Sequence, residues 1–184
     1  DPDIILVGEM RDAETAQIGM RAAMTGHLVF STLHTRDTAG TLFRLVDMGA
    51  PKYMVASSVQ AVLAQRLLRR VCESCSETHI PTPQEAEWLE VEGVSRNGWG
   101  TLLHGRGCSH CNGTGYHGRM GVYEMLEMGQ ELVDAAAHED NTHFMQAARN
   151  HLKGKTLLDA ALNEMKQGRT TVAEVMRISN QVED

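Results

Sequence analysis

Four consecutive aliphatic residues, Ile4-Ile5-Leu6-Val7, run into Gly8 and Glu9, and a second apolar run, Leu28-Val29-Phe30, follows after about one helix's worth of chain. An unbroken branched-aliphatic run suits a central parallel strand covered on both faces better than a half-exposed antiparallel one. Two such runs with a helix between them make a βαβ unit, which is right-handed in nearly all known sheets. That unit restricts the start of the chain to an α/β architecture. It also sets Glu9 and the segment Ser31-Thr32-Leu33-His34 at the carboxyl ends of neighbouring strands, where ligands bind in open α/β sheets.

Local signals give the next elements. Asp12 can cap a helix over Ala13–Met24 that Thr25-Gly26 ends, with Ile18, Arg21, Ala22 and Thr25 spaced to face the sheet. Asp37 caps a shorter helix reaching about Met48, closed by Gly49. Pro51 stands in the first turn of what reads as a long helix to about Val71, with Val55, Val59, Val62, Leu63 and Leu67 as its apolar stripe. On that reading Arg66, Arg69 and Arg70 sit near a helix C-terminus, where cations favour the macrodipole, although a role at a neighbouring subunit is also open.

From Cys72 to about Met128 the sequence changes character. Pro81, Pro83 and a glycine-rich run from Gly105 to Gly121 leave few long apolar periods, so this stretch cannot build much core of its own. Cys72-x₂-Cys75 and Cys108-x₂-Cys111 supply four thiolates across a 32-residue gap that can hold a helix at about Pro83–Val91. Four cysteines close the shell of a tetrahedral zinc ion and leave no position for water, so the site reads as structural zinc. His79, His104, His110 and His117 lie near the cysteines in sequence, and His110, between two ligands on one knuckle, reads as exposed and non-ligating. Arg119–Glu124 should return as a strand. Beyond Gly129 the pattern is helical in four segments separated in part by Gly154 and Gly168, and Thr170-Thr171-Val172-Ala173-Glu174 resembles an N-cap with a capping-box acid.

The sequence thus divides into an α/β part over 1–71, a zinc insert over 72–128 and a helical C-terminal part over 129–184. The net charge of −7 excludes a simple nucleic-acid binder: residues 1–71 hold eight basic and seven acidic side chains, 72–128 three and eight, 129–184 six and nine. No basic stripe is available for phosphates. No apolar run is long enough to span a membrane, and no signal peptide is seen. Because the first residue already lies inside a motif, the chain reads as a segment of a longer protein whose earlier strands lie upstream.

The phrases DPDIILVGEMRDAETA and TGHLVFSTLHTRDTAG closely resemble the Walker B and His-box motifs of the type II secretion and type IV pilus-assembly ATPases. CESC and CSHCNGTGYHGRMGVYEML resemble the tetracysteine insert of the extension and secretion members of that family. The resemblance implies the C-terminal part of a RecA-like P-loop NTPase domain. It further implies ATP and Mg²⁺ as cofactors of the intact protein, a homo-hexamer at the cytoplasmic face of the inner membrane, and a platform protein and cytoplasmic adaptor as partners.

Phosphoryl transfer to water needs a metal to gather phosphate charge and a carboxylate to orient the water. By resemblance Glu9 is that carboxylate, or supports Mg²⁺ through water, and His34 is a γ-phosphate sensor. His27, at the opposite strand end, reads as structural or interfacial, and Arg11 and Asp12 as structural. Arg36 departs from the asparagine many relatives carry after the His-Thr pair. No GxxxxGK[ST] occurs in the 184 residues, so the segment alone is expected to be inactive. Two other readings stand beside this one: a non-enzymatic zinc-binding interaction module, and a DnaJ-like zinc domain suggested by a single CxxCxGxG copy at Cys108.

Overall fold

The structure, a computed structural model, describes residues 2–138 and 140–183; Asp1, the first residue of the Walker B-like phrase, lies outside them. The secondary structure runs β1 (Ile4–Val7), α1 (Ala13–Met24), β2 (Leu28–Ser31), α2 (Thr38–Asp47), α3 (Lys52–Ser58), β3 (Ala61–Val71), β4 (Ser76–Thr78) and α4 (Pro83–Val91). It continues with β5 (Leu103–Gly105), β6 (Tyr116–Glu127), α5 (Gln130–Ala137), α6 (Asn141–Leu152), α7 (Leu157–Lys166) and α8 (Val172–Glu183). Three two-stranded pairs are formed, β1 with β2, β3 with β6, and β4 with β5.

Contacts divide the chain into two compact units, Asp1–Ala64 with Glu124–Lys153, and Gln65–Tyr123 with Gly154–Asp184. The four C-terminal helices are therefore shared out: α5 and α6 belong to the unit of the βαβ segment, α7 and α8 to the unit of the cysteines. Helices with short apolar stripes bury them against whichever sheet or helix lies beside them, and sequence order alone does not say which.

In the first unit β1 and β2 are parallel, with Ile4 opposite Leu28 and Val7 opposite Ser31. Asp12 caps α1 by accepting from the Thr15 amide at 2.9 Å, and Gly26 (φ +100°) ends the helix in the left-handed conformation that glycine tolerates. The face of α1 that is buried carries Ala16, Gly19 and Met20, not the stripe through Ile18, which is 57% exposed. Small residues win there because Met10 packs over Gly19, where a Cβ would collide with its methyl group. The core gathers Met10, Met20, Leu42, Leu45, Val55, Leu126, Leu132 and Phe144, with Phe43 edge-on to Phe144 at 5.5 Å.

The two strands are not covered on both faces, contrary to the reading of their composition. Ile4, Leu6, Leu28 and Phe30 are 60%, 76%, 43% and 54% exposed, because among the described residues no layer lies on that face.

The long helix expected from Pro51 to Val71 is also corrected. α3 stops at Ser58, Val59 is extended (φ −72°, ψ 122°), and residues 61–71 form β3, paired with β6. Two causes are visible, one local and one distant in sequence. The Ser57 hydroxyl bonds back to the carbonyls of Tyr53 and Met54, a habit that weakens a helix, and the Val-Leu-rich stretch finds a strand partner in β6. Leu63 and Leu67, assigned to the apolar stripe, are exposed, whereas Leu68 and Val71 are buried. The macrodipole argument for Arg66, Arg69 and Arg70 falls with the helix.

In the second unit β4 and β5 are antiparallel, Ser76 opposite Gly105 and Thr78 opposite Leu103. Pro83 opens α4 behind a Thr82–Glu85 capping box, and Thr156 with Asp159 does the same for α7. Glu174, read as a capping-box acid, donates only its amide to Thr171 Oγ1 (3.1 Å). Its carboxylate is fully buried and accepts from the Arg69 amide (2.9 Å), from the Arg69 guanidinium at 3.0 and 2.8 Å, and from Arg177 at 3.2 and 2.8 Å. Arg69 in turn stacks over the Tyr116 ring at 4.1 Å. Burial alone would raise the Glu174 pKa, but the hydrogen bonds from Arg177 and Arg69 outweigh it and hold the group at about 2.

A carboxyl whose folded pKa lies below its usual 4.5 contributes stability that is present above that value and is lost as pH falls from there toward 2. Glu174→Gln is expected to remove that part of the acid dependence. Glu174→Ala is expected to destabilise by about 3 kcal/mol, the low end for a broken buried pair, since the half-exposed guanidiniums can turn to water. Urea unfolding of both variants between pH 2 and 7 checks this.

Candidate active site and metal centre

Glu9 follows β1 and His34 follows β2, and the parallel pairing brings the two strand ends together. The pairing is prolonged past the strands: the Met10 amide donates to Thr32 O at 3.1 Å, and Thr32 Oγ1 donates to Gly8 O at 2.7 Å. Held this way, Glu9 Oε1 lies 2.9 Å from His34 Nε2, and Glu9 Oε2 accepts from Arg11 Nε and a terminal guanidinium nitrogen, both at 2.6 Å. The Glu9 side chain is 20% exposed, that of His34 90%. A carboxylate thus sits at the strands' carboxyl edge with an exposed imidazole beside it and a guanidinium on its other oxygen, a set able to orient a water or a hydrated cation.

Arg11, structural on the sequence alone, contacts Glu9 with no signal in the sequence beyond a spacing of two. His27 lies at the other end of β2, its Nδ1 3.0 Å from Ala22 O and 3.1 Å from Thr25 Oγ1, seated on the last turn of α1.

The His34 loop is tied into α2. Asp37 accepts from the Gly40 amide (2.6 Å), Thr35 Oγ1 meets Thr41 Oγ1 (2.9 Å), and the buried Glu124 of β6 accepts from the Thr38 amide (3.1 Å) and hydroxyl (2.5 Å). A carboxylate on the first amide of a helix is favoured by the unpaired N–H groups there. Glu124 lies 86 residues away in sequence from Thr38, and no local pattern announces it.

The cysteines converge as their spacing predicts. Sγ separations are 3.9 Å for Cys72–Cys108, 3.8 Å for Cys75–Cys111 and 3.7 Å for Cys108–Cys111, and all four sulfurs lie within 4.8 Å of one another. A tetrahedron with Zn–S of about 2.3 Å has edges of about 3.8 Å, so these three separations match the edges of a zinc shell and the cluster could hold the ion.

The knuckles are interlocked by backbone: Cys72 N donates to Gly115 O (2.9 Å), Arg106 N to Cys75 O (3.1 Å) and Gly113 N to Cys108 O (2.9 Å). Gly105 and Gly115 approach so closely that a Cβ on either would overlap the other's carbonyl. Burial pushes the Cys75 thiol up, while on Cys111 the amide donors of Cys108 and Gly115, both 3.2 Å from its sulfur, outweigh burial and pull the thiol down.

His110 is exposed and outside the tetrahedron, with Nδ1 3.6 Å from Cys72 Sγ. His79 and His104 turn away from the cysteines to Glu85 (2.8 Å) and Glu77 (3.1 Å).

The sequence model of the family described as Type II/IV secretion system protein matches residues 1–177. The chain belongs to this family. It is 41% identical over 182 residues to the type II secretion system protein E of Pectobacterium carotovorum subsp. carotovorum, covering 98% of this chain and 35% of that protein. It is 43% identical over 178 residues to the type IV pilus assembly ATPase PilB of Thermus thermophilus, covering 96% of this chain and 20% of that one. The chain therefore spans about a third or less of the relatives it matches.

Among solved structures, the Legionella pneumophila ATPase DotB superposes with a TM-score of 0.64 at 21% identity, over 98% of this chain and 39% of that one. That likeness shows the α/β fold; within it this chain carries a tetracysteine cluster and a helical C-terminal part. Among the described residues no helix is long and apolar enough to cross a membrane.

Proposed function

We propose that this chain works as part of a hexameric motor ATPase that couples ATP hydrolysis to pilus assembly or type II protein secretion. The observation that carries the reading is the 2.9 Å meeting of Glu9 and His34 at the carboxyl edge of a parallel pair, inside Walker B-like and His-box-like phrases. Mg²⁺ bound with ATP would gather the phosphate charge there. Glu9 orients the attacking water or steadies the hydrated ion, His34 reaches the γ-phosphate, and Arg11 keeps Glu9 aimed. Zinc on Cys72, Cys75, Cys108 and Cys111 is structural. In this reading the motor is cytoplasmic and peripheral at the inner membrane, with a platform protein and an adaptor as partners.

The 184 residues hold no phosphate-cradling loop, so the cradle comes from the two-thirds of the relatives' length that this chain does not span. The exposed face of Ile4, Leu6, Leu28 and Phe30 is where further layers of the sheet would lie.

The expected result for the 184-residue chain is no ATP turnover and no nucleotide affinity tighter than about millimolar, because Glu9 and His34 then have no phosphates held against them. A protein extended to the full length of its relatives is expected to turn over. Turnover by the 184 residues that disappears in Glu9→Gln contradicts the need for the missing cradle. Failure of the extended protein to bind ATP favours a zinc-binding interaction module instead.

A further inference from the structure

The His34 ring is 90% exposed, so no surrounding packing fixes it, and whether it meets Glu9 depends on where the loop of residues 33–36 runs. One end of that loop is tied to β1, where the Met10 amide donates to Thr32 O (3.1 Å) and Thr32 Oγ1 donates to Gly8 O (2.7 Å). The other end is tied to β6. There Glu124 Oε1 accepts from the amide (3.1 Å) and the hydroxyl (2.5 Å) of Thr38, the first residue of α2.

Thr38 and Glu124 are 0% and 4% exposed. A carboxylate is costly to bury, and the unpaired amides of a helix N-terminus are donors that offset the cost. Capping is not what the contact supplies, because Asp37 already caps α2 by accepting from the Gly40 amide at 2.6 Å. What Glu124 adds is location: it fixes where the helix begins relative to β6. That placement is passed to the loop by hydroxyls. Thr41 Oγ1 donates to Asp37 O (3.0 Å) and meets Thr35 Oγ1 (2.9 Å), one residue from His34.

We propose that Glu124 is a positioning residue of the ATPase site: by holding the first turn of α2 against β6, it sets the loop so that the His34 imidazole meets Glu9. The proposal rests on the reading of Glu9 and His34 as the hydrolytic edge.

The test is a double-mutant cycle on the protein extended to its relatives' full length, with ATP turnover, ATP affinity and melting temperature measured on every variant. Glu124→Met keeps the length of the side chain and removes the acceptor, whereas Glu124→Gln keeps an oxygen able to take both Thr38 bonds. Glu124→Met is expected to lower kcat roughly tenfold with ATP affinity retained, the scale of a group displaced by less than about 1 Å, and Glu124→Gln to keep most of the wild-type rate. In the His34→Ala background Glu124→Met is expected to cost nothing further, because it acts through His34; a residue that only stabilises the fold costs the same factor in either background. Thr38→Val, which removes the hydroxyl alone, carries the same cycle if Glu124→Met does not fold, with a smaller loss and the same non-additivity. Losses that multiply with that of His34→Ala, or an unchanged rate in the folded variant, overturn the proposal and leave the active-site reading standing. Wild-type rates in both Glu9→Gln and His34→Ala overturn the two together.

Discussion

Stripping zinc from the chain is expected to unfold the insert between Cys72 and about Tyr116 while the βαβ unit keeps its structure. The segment has little else to hold it. Its buried apolar residues between the two knuckles are Leu89, Val94 and Leu102, its strands β4 and β5 are three residues each, and its glycines Gly105 and Gly115 supply close backbone approach without side-chain packing. Structural zinc contributes on the order of 10–16 kcal/mol in small metal-folded modules, far more than such a core. Without the ion, four thiols whose sulfurs lie within 4.8 Å of one another have no reason to stay together.

Hydrogen exchange on chelator-treated protein checks this. Loss of protection at the amides of Cys72, Cys75, Arg106 and Gly113, restored on adding zinc, is the expected result. Unchanged protection there in verified metal-free protein would mean the insert folds by packing alone.

The meeting of Glu9 and His34 was legible in the sequence because it depends on topology. Two apolar runs joined by one helix run parallel in one sheet, here as direct neighbours, and residues following parallel neighbours share an edge. The cysteine cluster was legible for a similar reason, since two CxxC pairs leave few other arrangements. What the sequence hid were contacts made at long range. Residues 61–71 carry enough leucine and valine at helical spacing to pass for a helix, and only pairing with β6, which begins 45 residues after β3 ends, makes them a strand.

Glu174 shows the same limit on a smaller scale. Its place three residues after a threonine fits a capping box, but two guanidiniums, one from β3, draw the carboxylate inward. Glu124 on the α2 N-terminus and the exposed faces of β1 and β2 likewise depend on which neighbours are present, which no periodicity encodes.

Replacing Glu9 by Gln in a protein extended to its relatives' full length is expected to leave ATP binding in place and to lower hydrolysis by roughly 10²–10⁴, the scale of losing a positioned acid–base group. The amide keeps the volume of the carboxylate and one acceptor oxygen, so the strand end and the His34 contact can persist. It lacks the charge that holds Arg11 at 2.6 Å and that orients water or a hydrated cation. His34→Ala should cost less, since it removes one contact to phosphate and leaves the carboxylate. His27→Ala should cost least, because its ring packs on the end of α1 away from the site.

Steady-state ATP hydrolysis by wild type and Glu9→Gln, with nucleotide affinity measured on both, tests the account most directly. Retained binding with hydrolysis reduced by about two orders of magnitude or more is the predicted result. Equal rates in the two proteins would remove Glu9 from the reaction and contradict the assignment of this edge as the active site.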